Sequence, residues 1–190
     1  PLPRALAKSV SKRGKKVMGV ILAAGNSTRM GKDNKLLRNI GTAPLIRNTA
    51  IEMLKSDLDT CSIVLGYQSD KVADVIKDLN INLILNPLWK EGQASSLRAA
   101  INNLDSTYSD LLIMLGDLPG IKSSHINSII EEHLLTDNRK SKITIPSFKG
   151  QKGNPVIWGR SFFHDLSNLV GDVGGRTLFI EHPAAINTLE

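Results

Sequence analysis

Three cations follow closely on the end of an apolar run. In "VMGVILAAGNSTRMGKDNKLL", residues 17–37, the run closes on Ala23, Ala24 and Gly25, and Arg29, Lys32 and Lys35 come next. Small side chains let backbone N–H groups approach an anion, and Arg or Lys adds charge-assisted hydrogen bonds to phosphate oxygens. The chemistry this stretch is equipped for is phosphate binding; the alternative is a small-residue turn with solvated cations. Two familiar phosphate loops do not fit. The dinucleotide fingerprint needs GxGxxG, and here Gly25 is followed only by Gly31. A P-loop needs Lys-Ser/Thr after its second glycine, where this chain has Lys32-Asp33.

A second set of residues is acidic. "DLLIMLGDLPGI" places Asp117 just past another apolar run, where a hard oxygen ligand suits Mg²⁺ on nucleotide phosphates and a plain Gly-Asp turn is the other reading. In "GNPVIWGRSFFHDLSNLVGDVGGR", Asp172 is either a second metal ligand or the cap of a helix beginning near Gly174. "KEGQASSLRAAI" opens a helix with Ser95 and Ser96, residues that cap helices, at a terminus that also suits anions. His125, His133, His164 and His182 have no metal-ligand spacing and receive no chemistry. Cys61, the single cysteine, lies in apolar "CSIVLG"; it reads as a core residue, forms no intrachain disulfide and fits a reducing, cytoplasmic setting.

These residues need a scaffold. "VMGVILA", "CSIVLG", "INLIL", "DLLIML" and "KITIPSF" read as short buried strands. They alternate with "APLIRNTAIEMLKSD", "SDKVADVIKDLN", "GQASSLRAAINNL" and "SSHINSIIEEHLL", whose apolar residues recur at helical spacing. Such βαβ order with continuous apolar strands predicts a mainly parallel sheet between helical layers, with ligands beyond the strands' carboxyl ends. "SFKGQKGNPVIW" predicts a glycine-containing hairpin or loop leading into a further strand, and "SFFHDLSNL" and "GRTLFIEH" predict helices.

With 190 residues, 41% hydrophobic and 22% charged, the chain has the size and composition of one globular domain, and no apolar run reaches the length of a membrane span. The net charge of +6 invites a nucleic-acid partner, but its distribution argues against one. Residues 1–16 hold six of the 24 basic residues and no acid, leaving 18 basic against 18 acidic residues in the remainder. We therefore expect a basic linker or leader over 1–16 and one domain over 17–190, the C-terminal part of a longer polypeptide.

"LAAGNSTRMGKDNKLL" resembles the signature loop, LAAGxSxRMGxxK, of the MobA-like nucleotidyltransferases, most closely the branch that transfers a cytidylyl group to molybdopterin. "GDLP" is similar to that family's metal-binding Gly-Asp-x-Pro element. Gly92 and Ser96 match its Gly-x-x-x-Ser-Leu element. Gly153, Asn154 and Pro155, then Gly171, Asp172, Gly174 and Arg176, match its later motifs, with Gly175 where Ala is usual.

The resemblance runs from about Val17 to His182. It implies a Rossmann-like three-layer α/β/α domain of the nucleotide-diphospho-sugar transferase type. By the same resemblance Leu22, Ala23, Ala24 and Gly25 would lie against base and ribose, with Gly92 and Ser96 near the nucleotide. Arg29 and Lys35 would hold the triphosphate, Asp117 would bind Mg²⁺ with Asp172 as a weaker second ligand, and Asn154 would touch metal or substrate. Arg29, Lys35 and Asp117 form the implied catalytic set. Ala24 tilts the nucleotide toward CTP, since guanine-specific members tend to read LAGG.

The reaction implied is attack by the terminal phosphate of molybdopterin on the α-phosphorus of CTP with loss of pyrophosphate. An upstream pterin-handling domain is the implied partner, and neither nucleic acid nor membrane is expected. Its rivals are guanylyl transfer to the same pterin, transfer to a sugar phosphate, and a catalytically silent nucleotide-binding or interaction domain. Relatives continue into a last strand and an Asp-x-Asp-Thr element; this chain, ending "AAINTLE", is expected to lack both.

Overall fold

The structure is a computed structural model and describes residues 17–26 and 34–190. Its centre is β1 (Val17–Ala23), buried at all seven positions. Alternate side chains leave a strand on opposite faces, and here both faces are covered. Met18, Val20 and Leu22 join one apolar cluster, and Val17, Ile21 and Ala23 join another. That double burial is why the run reads as continuously apolar rather than alternating.

β1 pairs in parallel with β4 (Thr60–Leu65) on one side and β6 (Asp110–Leu115) on the other. β5 (Asn82–Leu85) extends the sheet beyond β4, parallel to it. Beyond β6 come β9 (Val156–Gly159), β7 (Ile143–Phe148) and β10 (Ile186–Leu189), giving the order β10-β7-β9-β6-β1-β4-β5. Only β9 in this series runs against its neighbours, pairing antiparallel with β6 and β7, whereas β10 is parallel to β7. Two small ribbons complete the strands: β2 (Asn39–Ile40) with β3 (Ala43–Pro44), and β8 (Gln151–Lys152) folded back on β7.

One face is covered by α1 (Leu45–Leu54), α2 (Ser69–Asp74) and α4 (Ser123–Leu135), the other by α3 (Gln93–Asn102), α5 (Phe163–Asn168) and α6 (Leu178–Glu181). The fold is thus the three-layer α/β/α arrangement with a mainly parallel sheet. Among the described residues no helix is long and apolar enough to cross a membrane.

The differences from expectation are local. The helix expected over 69–80 stops at Asp74 and continues as turns. The hairpin over 147–158 is real but short, β7 turning through Lys149 and Gly150 into the two-residue β8 before β9 begins. A last strand does form: Ile186–Leu189 pairs with β7, correcting the expectation that the chain lacks one. Four residues without a periodic apolar pattern carry little strand signal; the exposed edge of β7 supplies the ladder they join.

At the amino end of β6, Asp110 and His133 are fully buried together. His133 Nε2 lies 3.1 Å from Asp110 Oδ1 and its Nδ1 lies 2.8 Å from Thr144 Oγ1. Asp110 Oδ2 accepts from Ser109 Oγ at 2.7 Å and Arg139 Nε at 3.0 Å. Burial pushes the Asp110 carboxyl upward, but hydrogen bonds from His133 and Ser109, with the charges of His133 and Arg139, outweigh it and leave the pKa lowered. A carboxylate whose pKa is lowered on folding contributes stability above its unfolded value of about 4, and that contribution is lost as pH falls through the folded value. Asp110→Ala, which strands the partners, should cost about 3–5 kcal/mol in urea unfolding at pH 7. Relative to the wild-type protein, the variant should also show a shallower loss of stability below pH 4.

Candidate active site

The carboxyl ends of β1 and β6 open onto a cleft of 710 Å³. Its floor is the exit of β1. Ala23 and Ala24 are buried while Gly25 and Asn26 are exposed. This exit is tied on both flanks: Gly116 N–H donates to Leu22 O at 2.9 Å, and Tyr67 N–H donates to Ala24 O at 3.0 Å. The small residues that suggested close approach therefore lie on backbone fixed by the two neighbouring strand exits.

Opposite the floor stands the segment from β5 to α3. The side chain of Asn86 organises it. Its Nδ2 donates to Ser95 Oγ at 2.9 Å and Ser96 Oγ at 3.1 Å, and its Oδ1 accepts from Leu88 N–H at 3.0 Å. Trp89 lines the cleft and packs at 5.4 Å from the ring of Tyr67. It can do so because Gly66 has no side chain, since a Cβ there would fall 2.5 Å from Trp89 Cβ.

The helix start is built differently from the sequence reading. The N-cap of α3 is Gly92, and Ser95 and Ser96 lie within the first turn, Ser95 Oγ donating back to Gly92 O at 2.8 Å. The first N–H groups of α3 already have protein acceptors. Gln93 N–H points to Asp172 Oδ1 at 3.3 Å, and Ala94 N–H to Gly171 O at 3.2 Å. Asp172 thus caps α3 across 79 positions, rather than a helix near Gly174, where a short 3₁₀ turn begins at Gly175.

The charged groups meet at the third wall. Lys35 opens a 3₁₀ turn, Lys35–Leu37, capped by Asn34, whose Oδ1 accepts from Leu36 N–H at 3.1 Å. The Lys35 ammonium donates to Asp117 Oδ2. Asp117 follows Gly116, whose carbonyl accepts from the buried Thr49 hydroxyl of α1 at 3.3 Å. Elsewhere on the rim, Arg98 Nη2 neutralises Glu91 Oε2 at 3.0 Å.

Leu22, Ala23, Ala24, Gly25, Lys35, Gly92, Ser96, Asp117 and Asp172 all line this one cleft. Asn154 does not line it. Its Oδ1 accepts from Leu115 N–H at 3.1 Å and so holds the strand end from which Asp117 projects. Arg29 and Lys32 lie outside the described residues. Sequence reasoning missed Trp89, Lys90, Glu91 and Gln93, which also line the cleft; the available signal was the position of "WKE" immediately before Gly92. The floor of small residues, the Lys35 ammonium and the Asp117 and Asp172 carboxylates form a set that can take a polyphosphate together with a hard divalent cation. Among the described residues no group of three or more His, Cys, Asp or Glu is assembled to hold a metal without such a ligand.

Residues 19–186 match the MobA-like NTP transferase domain. The chain belongs to that family. Among curated proteins, the chain is 27% identical over 143 residues to the bifunctional protein GlmU of Prochlorococcus marinus (strain MIT 9211), covering 75% of this chain and 30% of that protein. The chain therefore spans between 22% and 33% of the length of such curated relatives. Among solved structures, the rv0371c homolog from Mycobacterium sp. strain JC1 is 28% identical with a TM-score of 0.78, over 91% of this chain and 84% of that one. The 4-diphosphocytidyl-2C-methyl-D-erythritol synthase of Anaerococcus prevotii DSM 20548 shares the fold at 14% identity and a TM-score of 0.72, over 95% and 88% of the two chains.

Gly92 is the joint of the cleft wall: its φ is +97°, and a Cβ there would meet the Asp172 backbone at 2.5 Å. Gly92→Ala should lose roughly 1–3 kcal/mol of stability, read as a lowered thermal midpoint, because both the backbone conformation and the docking of residues 171–172 resist a side chain.

Proposed function

We propose that the chain transfers CMP from CTP to molybdopterin with release of pyrophosphate. The observation that carries the reading is the convergence on one cleft of the small-residue β1 exit, Lys35 and Asp117. Ala24 at the base-side position favours CTP through the LAAG resemblance. The same fold carries a protein named as a diphosphocytidyl-methylerythritol synthase, which fits a cytidylyl donor. The molybdopterin acceptor rests on the resemblance of the signature loop and of the Gly153-Asn154-Pro155 and Gly171-Asp172 motifs to that branch.

In this reading Ala23, Ala24 and Gly25 give backbone N–H groups close access to the nucleotide. Lys35 and Arg29 offset the charge that builds on the departing pyrophosphate. The acceptor phosphate oxygen forms a bond to the α-phosphorus as the bond to the pyrophosphate oxygen breaks, with no covalent enzyme intermediate. Catalysis is then positioning plus charge neutralisation. Asp117, with Asp172 as the second carboxylate, would hold Mg²⁺, which supplies charge neutralisation to the reacting phosphates. The donor set fits this ion: both side chains offer hard oxygens, and magnesium takes one or two carboxylates with the substrate phosphates completing its shell.

Thermal unfolding with CTP, GTP, ATP or UTP, each with and without Mg²⁺, tests the donor. The expected result is a raised midpoint with CTP and Mg²⁺ and smaller shifts with the others. A GTP-selective shift would redirect the reading to guanylyl transfer, and no shift with any nucleotide would favour a silent domain. Pyrophosphate release on adding molybdopterin then tests the acceptor. Asp117→Ala should abolish that release with its midpoint near the wild-type value, and near-normal turnover by a folded variant would remove Asp117 from the mechanism.

A further inference from the structure

Lys35 is placed by its surroundings. Leu36, beside it, is 4% exposed and anchored in the apolar layer under α1, while the Asn34 cap fixes the turn. From that fixed base the ammonium reaches across 82 positions of sequence to Asp117. Both side chains are about one-third exposed, at 36% and 31%, and both line the cleft. The carboxylate read above as the metal's protein ligand therefore already has a cation on one of its oxygens.

A divalent ion arriving alone would have to share that carboxylate with the ammonium, and the two positive charges repel at close range. A nucleoside triphosphate changes the balance. It offers Lys35 several anionic oxygens in place of one carboxylate, and it brings the metal's remaining ligands with it. We infer that Lys35 is the stand-in cation of Asp117 in the nucleotide-free protein, and that it exchanges Asp117 for the polyphosphate so that metal and nucleotide bind as a coupled pair. This rests on the reading of Asp117 as the metal carboxylate. Coupling of this kind is reciprocal: nucleotide tightens metal by the same factor by which metal tightens nucleotide. Free divalent metal in the absence of nucleotide would leave the cleft in its ion-paired form.

Mn²⁺ alone, followed by electron paramagnetic resonance of the free ion, reads the exchange directly. Lys35→Met keeps an unbranched side chain, one atom shorter, and removes the charge, so it should tighten Mn²⁺ binding without nucleotide by about tenfold, within the usual range of coupling energies. Adding Asp117→Asn to that variant should return binding to the weak wild-type level. Mn²⁺ binding in the presence of CTP should weaken on Asp117→Asn alone. If Lys35→Met binds Mn²⁺ no more tightly than the wild-type chain while Asp117→Asn still weakens binding with CTP, the exchange is overturned and the metal reading stands. If Asp117→Asn changes Mn²⁺ binding in neither background, the metal reading itself falls and takes the exchange with it. Circular dichroism checks each variant's fold, and Lys35→Gln replaces Lys35→Met should the latter not fold.

Discussion

The architecture depends on a single strand being buried on both faces and hydrogen-bonded on both edges. β1 has no solvent-facing side, so every residue from Val17 to Ala23 must be apolar or small. Its parallel partners β4 and β6 also end at the same level as it does. Three strand exits are thereby brought side by side, and the two backbone bonds reaching Leu22 O and Ala24 O tie them together. A loop anchored in this way can present its small residues to a ligand without the ordering cost that a free loop would incur.

Much of this was legible because burial on two faces leaves a plain trace in composition. The strands around β1 and the helix Ser123–Leu135 stand where the apolar runs and spacings put them. The cleft residues on the β1 exit and at Gly116-Asp117 were legible because they sit at the ends of those runs. What the sequence hid were pairings across long separations. Nothing in "GDVGG" announces that Asp172 will cap Gln93, and nothing around Asn154 announces that it will hold Leu115. Trp89 was equally hidden, since its place depends on the bare backbone of Gly66, 23 positions earlier. The last strand was missed for a related reason: an edge strand borrows its ladder from a neighbour and needs little apolar pattern of its own.

β6 carries an aspartate at its first position and another two residues past its end, and the two are treated differently by the fold. Asp110 is saturated: His133, Ser109 and Arg139 occupy both oxygens in a buried setting. Asp117 is half open, with a lysine on one oxygen and the cleft on the other side. The first arrangement secures packing between β6, α4 and β7. The second leaves a carboxylate whose partner can be replaced, as a binding site requires and a core does not.

The docking of residues 171–172 onto the start of α3 has a further consequence for the order in which the protein comes into being. One wall of the cleft is supplied by residues 89–96, and the clip that holds its helix start by Gly171 and Asp172, the latter 79 positions after Gln93. During synthesis the floor, the Lys35 turn and Asp117 can all be assembled well before the clip exists. Until Gly171 and Asp172 emerge, the first N–H groups of α3 have only water for partners. The nascent chain thus passes through a stage with β1, β4 and β6 already made and an unfinished wall, and the cleft takes its final shape only once residues 171–172 have followed.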